Sequence, residues 1–190
     1  MKSGGFLPGL ELSRRFYAEA VRPLLDQHFP ALQHAAAQIG TGSDILDFDD
    51  PISADHDWGP AVTLVLREAA WEAHADAIEE LMAQQLPFTF LGYPVHSAQA
   101  PGEDPGTSIM TLTHERPISH SVWPTTVRRM FKGHLDWDID QPLSVVDWLT
   151  FPSQLLRGLT GGAVHIDQTG ELTVGRQQLA WYPEDVWRYM

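Results

Sequence analysis

Between Trp58 and Leu86 the apolar period of the chain changes once, and that change restricts the fold more than any other feature. From Trp58 to Leu66, Val62, Leu64 and Leu66 alternate against Thr63 and Val65, which is the two-residue period of a strand, and the charged pair Arg67-Glu68 closes the run. From about Trp71 to Leu86 the period lengthens to that of a helix. Ala75, Ile78, Leu81 and Met82 share one face, Glu79, Glu80 and Gln84 take the other, and Pro87 ends the pattern. On this reading a strand feeds directly into an amphipathic helix.

The flanking segments extend this alternation. Leu10 to Phe29 places Phe16, Tyr17, Ala20, Val21, Leu24 and Leu25 at helical spacing, with Pro23 expected to bend or split the helix. A short apolar segment over Leu32 to Ile39 leads into the turn Gly40-Thr41-Gly42-Ser43. Residues 93–108, rich in Pro, Gly, Ser and Ala, read as a surface loop. Strands are expected at Ile109 to Leu112, Ile118 to Val122 and Ala163 to Ile166. Helices are expected at Thr125 to Leu135 and Pro152 to Leu159, with a turn at Asp167-Gln168-Thr169-Gly170. The stretch from Tyr182 opens like a helix, with an early proline and acids in its first turn, so residues 1–190 read as one domain whose C-terminus lies at the start of a helical region.

Charge narrows the classes of partner. With 25 acidic residues against 12 basic ones, a formal charge of −13, the chain repels phosphate backbones, so nucleic acid and anionic membranes are not expected partners. The absence of cysteine removes disulfides, a thiolate nucleophile and sulfur-ligated metals. No window reaches the roughly 18 apolar residues of a membrane span, and a soluble, cytoplasmic protein is the expectation.

The chemistry concentrates between residues 40 and 60. On an extended chain residues two apart share a face, so Asp55 and Asp57 project together while His56 points away. Paired carboxylates are a hard oxygen site suited to Mg2+ or Mn2+, ions that recruit substrate phosphates as further ligands. The Gly42-Ser43 turn offers backbone N–H groups and a hydroxyl to those phosphates. One or two such cations polarise the α-phosphorus of a nucleoside triphosphate and activate an acceptor hydroxyl.

Gly-Ser followed after roughly a dozen residues by Asp-X-Asp resembles the signature of the nucleotidyltransferase superfamily. The wider text is similar to a group of bacterial nucleotidyltransferase-like proteins, the DUF4037 family: Gly9-Leu10-Glu11-Leu12-Ser13, Val21-Arg22-Pro23-Leu24-Leu25, Asp55-His56-Asp57-Trp58-Gly59-Pro60, Leu91-Gly92-Tyr93-Pro94 and Leu179-Ala180-Trp181-Tyr182-Pro183. The resemblance implies an α/β (α+β) fold, a nucleotidyltransferase-like mixed β-sheet flanked by helices and normally followed by a helical bundle. It also implies Asp55 and Asp57 as catalytic metal ligands, Gly42 and Ser43 as the phosphate cradle, and ATP or another nucleoside triphosphate as substrate.

A third carboxylate completes such sites, and the family pattern carries an acid near the stretch that here reads His120-Ser121-Val122-Trp123-Pro124, with Trp123 at the matching position. Glu115 is the nearest substitute upstream. Lys132, in the basic edge Arg128, Arg129 and Lys132, is a candidate for the pyrophosphate, against the plainer reading of a solvated helix face. The nine histidines include no close zinc-binding pair. Three functions stay open: transfer of a nucleoside monophosphate to a hydroxyl of a small molecule or protein, a degenerate nucleotide-binding or regulatory module, and a structural domain that forms a homodimer.

Overall fold

The computed structural model describes residues 6–46, 48–50, 58–100, 102 and 108–188. The N-terminal helix forms in three pieces, α1 (Gly9–Phe16), a π-helical stretch (Tyr17–Val21) and α2 (Arg22–His28). Pro23 causes the division. It sits in the first turn of α2, and the wider π turn before it makes room for the ring in an otherwise continuous helix.

A four-stranded sheet follows. Its strands are β1 (His34–Gln38), β2 (Ala61–Leu66), β7 (Ser121–Thr125) and β8 (Ala163–Asp167), in the spatial order β7-β2-β1-β8. β2 pairs in parallel with β7, and β1 pairs antiparallel with both β2 and β8. The sheet is therefore mixed and flanked by helices. β2, β7 and β8 run one way and β1 runs against them.

Alternation along the strands builds two cores. Val62, Leu64, Leu66, Val122 and Ala36 pack on one face against Leu12, Phe16, Ile78 and Met82, from α1 and α3 (Glu68–Gln85). Ala35, Ala37 and Val65 pack on the other against Val127, Phe131, Leu159 and Leu172. These come from α4 (Val127–Leu135), α6 (Ser153–Thr160) and α7 (Glu171–Leu179), while α5 (Val145–Thr150) and α8 (Glu184–Trp187) add Trp148 and Val186. Burial on both faces fits the three alanines at the centre of β1, Ala35, Ala36 and Ala37, all fully buried between helices on either side.

Two local expectations need revision, and α7 lies where no element is expected. Residues 93–108, read as a surface loop, contain strand: after β3 (Thr89–Phe90) come β4 (Tyr93–Pro94) and β5 (His96–Gln99), and β5 pairs antiparallel with β6 (Ser108–Thr111). The small polar residues of β5 belong to a hairpin arm that is only half-buried, so they never needed an apolar alternation. β7 starts at Ser121, not Ile118, because Ser119 and His120 serve other partners: Ser97 N–H donates to Ser119 O at 2.7 Å, and Ser119 N–H donates to His96 Nδ1 at 2.9 Å. In α7, Gly175 faces α4. A side chain there would place Cβ 2.8 Å from Val127 Cγ1 and 3.1 Å from Phe131 Cζ, so the glycine is what lets α7 lie against α4.

Candidate functional site

Strand direction decides which loops meet. The register pairs Ala61 with Ser121 and Gln38 with Ala163, so the end of β1 and the starts of β2, β7 and β8 share one edge of the sheet. The Gly40–Ser43 turn leaves β1 at this edge. Gly40 and Gly42 have φ of +114° and +148°, values that favour glycine, and Gly40 N–H donates to Gly158 O at 3.0 Å. Gly158 in α6 lies so close that a Cβ there would collide with the Gly40 carbonyl. The turn is thus clamped by a helix from the far end of the chain.

Asp44, directly after Gly42 and Ser43, is the polar centre of this edge. It is 6 % exposed, and its Oδ2 accepts from Gln38 Nε2 at 2.8 Å. Burial pushes its carboxyl above the ordinary carboxylate range, the Gln38 bond pulls it back, and the nearby Asp49 pushes it further up. Asp49 accepts from the Gly9 N–H at 2.5 Å, and a Cβ on Gly9 would stand 2.6 Å from Asp44 Cβ and 3.0 Å from Trp58 Nε1. The start of α1, the turn after β1 and the residue leading to β2 therefore converge. Trp58 stacks with Phe6 at 5.6 Å and meets Tyr93 edge-on at 5.2 Å, while its buried Nε1 finds no acceptor among the described residues.

Asp55, His56 and Asp57 lie outside the described residues. Of the other expected residues, Gly42 and half-buried Ser43 stand at this edge beside Asp44, and Ser43 O accepts from Phe48 N–H at 2.9 Å. Glu115 is exposed after β6, its N–H donating to Thr113 Oγ1 at 3.1 Å. Lys132 Nζ pairs with Asp136 Oδ1 at 2.6 Å across the end of α4. Its neighbours are occupied too. Arg128 forks onto Asp138 and Asp140, each at 2.5 Å, and Arg129 lies over the Trp71 ring at 3.6 Å. Trp123, 51 % exposed, stands on the outermost strand opposite Thr63. Among the described residues no three His, Asp or Glu side chains are grouped to hold a metal ion.

Asp44 escaped sequence reasoning because an acid after a Gly-Ser turn looks like a solvated loop residue. A second buried polar group went unnoticed as well. Ser13, fully buried in α1, lies 2.9 Å from His165 Nε2, and its hydroxyl donates to Ala61 O at 2.7 Å. That commitment makes His165 Nε2–H the donor to Ser13 Oγ, so the histidine holds no lone pair toward the hydroxyl and cannot serve as its base. Burial and then the Arg14 charge depress His165 to about 4, and the opposing pull of Glu11 is smaller. The pair ties α1 to the sheet by hydrogen bonds.

No helix among the described residues is long and apolar enough to cross a membrane. No curated protein and no solved structure matches the chain. Its C-terminal part is similar to one family: residues 148–190, from within α5 onward, match the model described as a domain of unknown function (DUF4037).

Proposed function

We propose that this chain is a metal-dependent nucleotidyltransferase-like protein that moves a nucleoside monophosphate from a nucleoside triphosphate to a hydroxyl of a small molecule or protein. The observation that carries the reading is the pairing of the Gly42-Ser43 turn with Asp55-His56-Asp57 at nucleotidyltransferase spacing. The frame is compatible with it: β1 ends and β2 begins at one edge, so the turn stands at the same edge as Trp58 and the start of β2. In this reading Asp55 and Asp57 hold Mg2+ or Mn2+, which would supply charge neutralisation at the phosphates, and Gly42 and Ser43 donate to phosphate oxygens.

A second reading is a nucleotide-binding module without transfer. It is favoured by β7, whose five residues Ser121-Val122-Trp123-Pro124-Thr125 include no carboxylate beside β2.

The test is calorimetric binding of each nucleoside triphosphate with and without Mg2+, to the native chain and to an Asp55→Asn, Asp57→Asn double variant. Metal-dependent binding weakened at least about tenfold in the variant is expected, the loss of one or more charge-assisted contacts. Absence of binding by the folded native chain would sink both readings. Binding without pyrophosphate release across a panel of hydroxyl acceptors would select the second.

A further inference from the structure

The opposite edge of the sheet, where β2, β7 and β8 end, holds a cavity of about 410 Å3. That volume lies in the range of small-molecule sites. Val127 of α4, Ile139 of the following loop, and Val174 and Gly175 of α7 form apolar walls, with Glu68 and Glu171 beside them. Gly175 shapes the cavity, since its missing side chain sets the spacing of α4 and α7.

The sign of charge the cavity accepts follows from what is already satisfied around it. The helix starts that open here are occupied by the protein's own groups. Asp167 takes the N–H groups of Gly170 and Thr173, each at 2.8 Å, at the start of α7, and Thr126 Oγ1 takes Arg129 N–H at 3.2 Å at the start of α4. Arg128, the cation among the lining residues, spends its fork on Asp138 and Asp140. An anion would meet Glu68 and Glu171 with little left to attract it. Among the described residues Glu68 accepts a hydrogen bond from Thr126 Oγ1 and lies 3.8 Å from Arg129 and 4.0 Å from Arg128, while Glu171 lies 3.7 Å from Arg67, so neither carboxylate has a cation in close contact. Exposed pairs at such separations are worth little and yield to a better-placed donor.

We propose that this cavity binds a small organic amine, its apolar body against Val127, Ile139 and Val174 and its ammonium group between Glu68 and Glu171. The inference uses neither the Gly42-Ser43 edge nor Asp55 and Asp57, so it stands or falls separately from the proposed function.

Three probes of one shape test it on the full chain: cyclohexylmethylamine, cyclohexylmethanol and cyclohexanecarboxylate, titrated while backbone amide shifts are followed. The amine alone is expected to saturate shifts at residues 126–128, 139 and 169–178. Glu171→Gln and Glu68→Gln, which keep side-chain size, should each weaken it about tenfold, the loss of a charge-assisted hydrogen bond. Val174→Trp, at a position 56 % exposed and so tolerant of bulk, should block binding without any change of charge. Equal binding of the alcohol or the carboxylate, shifts centred elsewhere, no saturable shift with the amine, or affinities unchanged in the two glutamine variants would overturn it.

Discussion

His165 is a neutral base held inside a charged surface, and its titration gives the chain a defined acid limit. Burial is the main cause of its low value of about 4, with Arg14 adding to it. Its ordinary value is 6.5, so between those two pH values the unfolded chain takes up a proton that the folded chain refuses. The unfolded state then binds more protons, and stability falls as pH drops from about 6.5 towards 4. His34, whose Nε2 lies 2.9 Å from the Tyr17 hydroxyl, and His120 are also lowered by burial and act in the same direction. His165→Gln keeps a donor near Ser13 and removes the titration. The variant should lose on the order of 2 kcal/mol less stability than the native chain over that window, a figure discounted for the partial exposure of the ring. Urea melts at a series of pH values measure it, and parallel curves for the two proteins would contradict the assignment.

At the scale of elements, Arg176 of α7 ties that helix to the end of α6. Arg176 donates from Nε to Leu159 O at 2.8 Å and from one terminal nitrogen to Thr160 O at 2.6 Å and Gly161 O at 2.5 Å, covering carbonyls that the end of α6 leaves unpaired. Arg176→Ala should cost about 2–3 kcal/mol by leaving these groups without their donor, and Arg176→Lys should recover only part, since an ammonium cannot reproduce the planar fork. Denaturant midpoints decide this, and full recovery by lysine would show that charge alone matters. Such junctions also mark where sequence reading stops. β2, α3 and α4 are legible because their faces are written in local periodicity, although the Thr126 cap of α4 is not. Nor is α7, whose Gly175 meets Val127 and Phe131 only in the folded chain. The same holds at the candidate site. Gly42 and Ser43 are visible as a turn, whereas the burial of Asp44 depends on Gln38 from a strand and Gly9 from a helix start, partners that only the folded chain brings together.

For the whole molecule the question is which electrostatic term dominates, the pairs or the excess charge. Most basic side chains are already spoken for: Arg14, Arg15, Arg22, Arg67, Arg128, Arg129, Lys132 and Arg188 stand in ion pairs, and Arg116 and Arg176 hold backbone carbonyls. Each exposed pair contributes at most about 1 kcal/mol. With 25 acidic residues against 12 basic ones, carboxylates outnumber cations by 13. α3 concentrates the carboxylates, with Glu72, Asp76 and Glu80 following at intervals of one turn, where like charges repel. Raising salt from about 0.01 M to about 0.15 M shortens the screening length from about 30 Å to about 8 Å. That weakens long-range repulsion more than contact pairs at 2.5–2.8 Å. Potassium chloride should therefore raise the melting temperature, by about 3 °C if the relief amounts to about 1 kcal/mol. Asp76→Lys tests the same account locally, because a cation one turn from both Glu72 and Glu80 converts two repulsions into attractions. Its melting temperature at low salt should exceed that of the native chain, and the salt response should shrink. A melting temperature that falls with salt in the native chain would mean that the pairs, and not the excess of carboxylates, govern its stability.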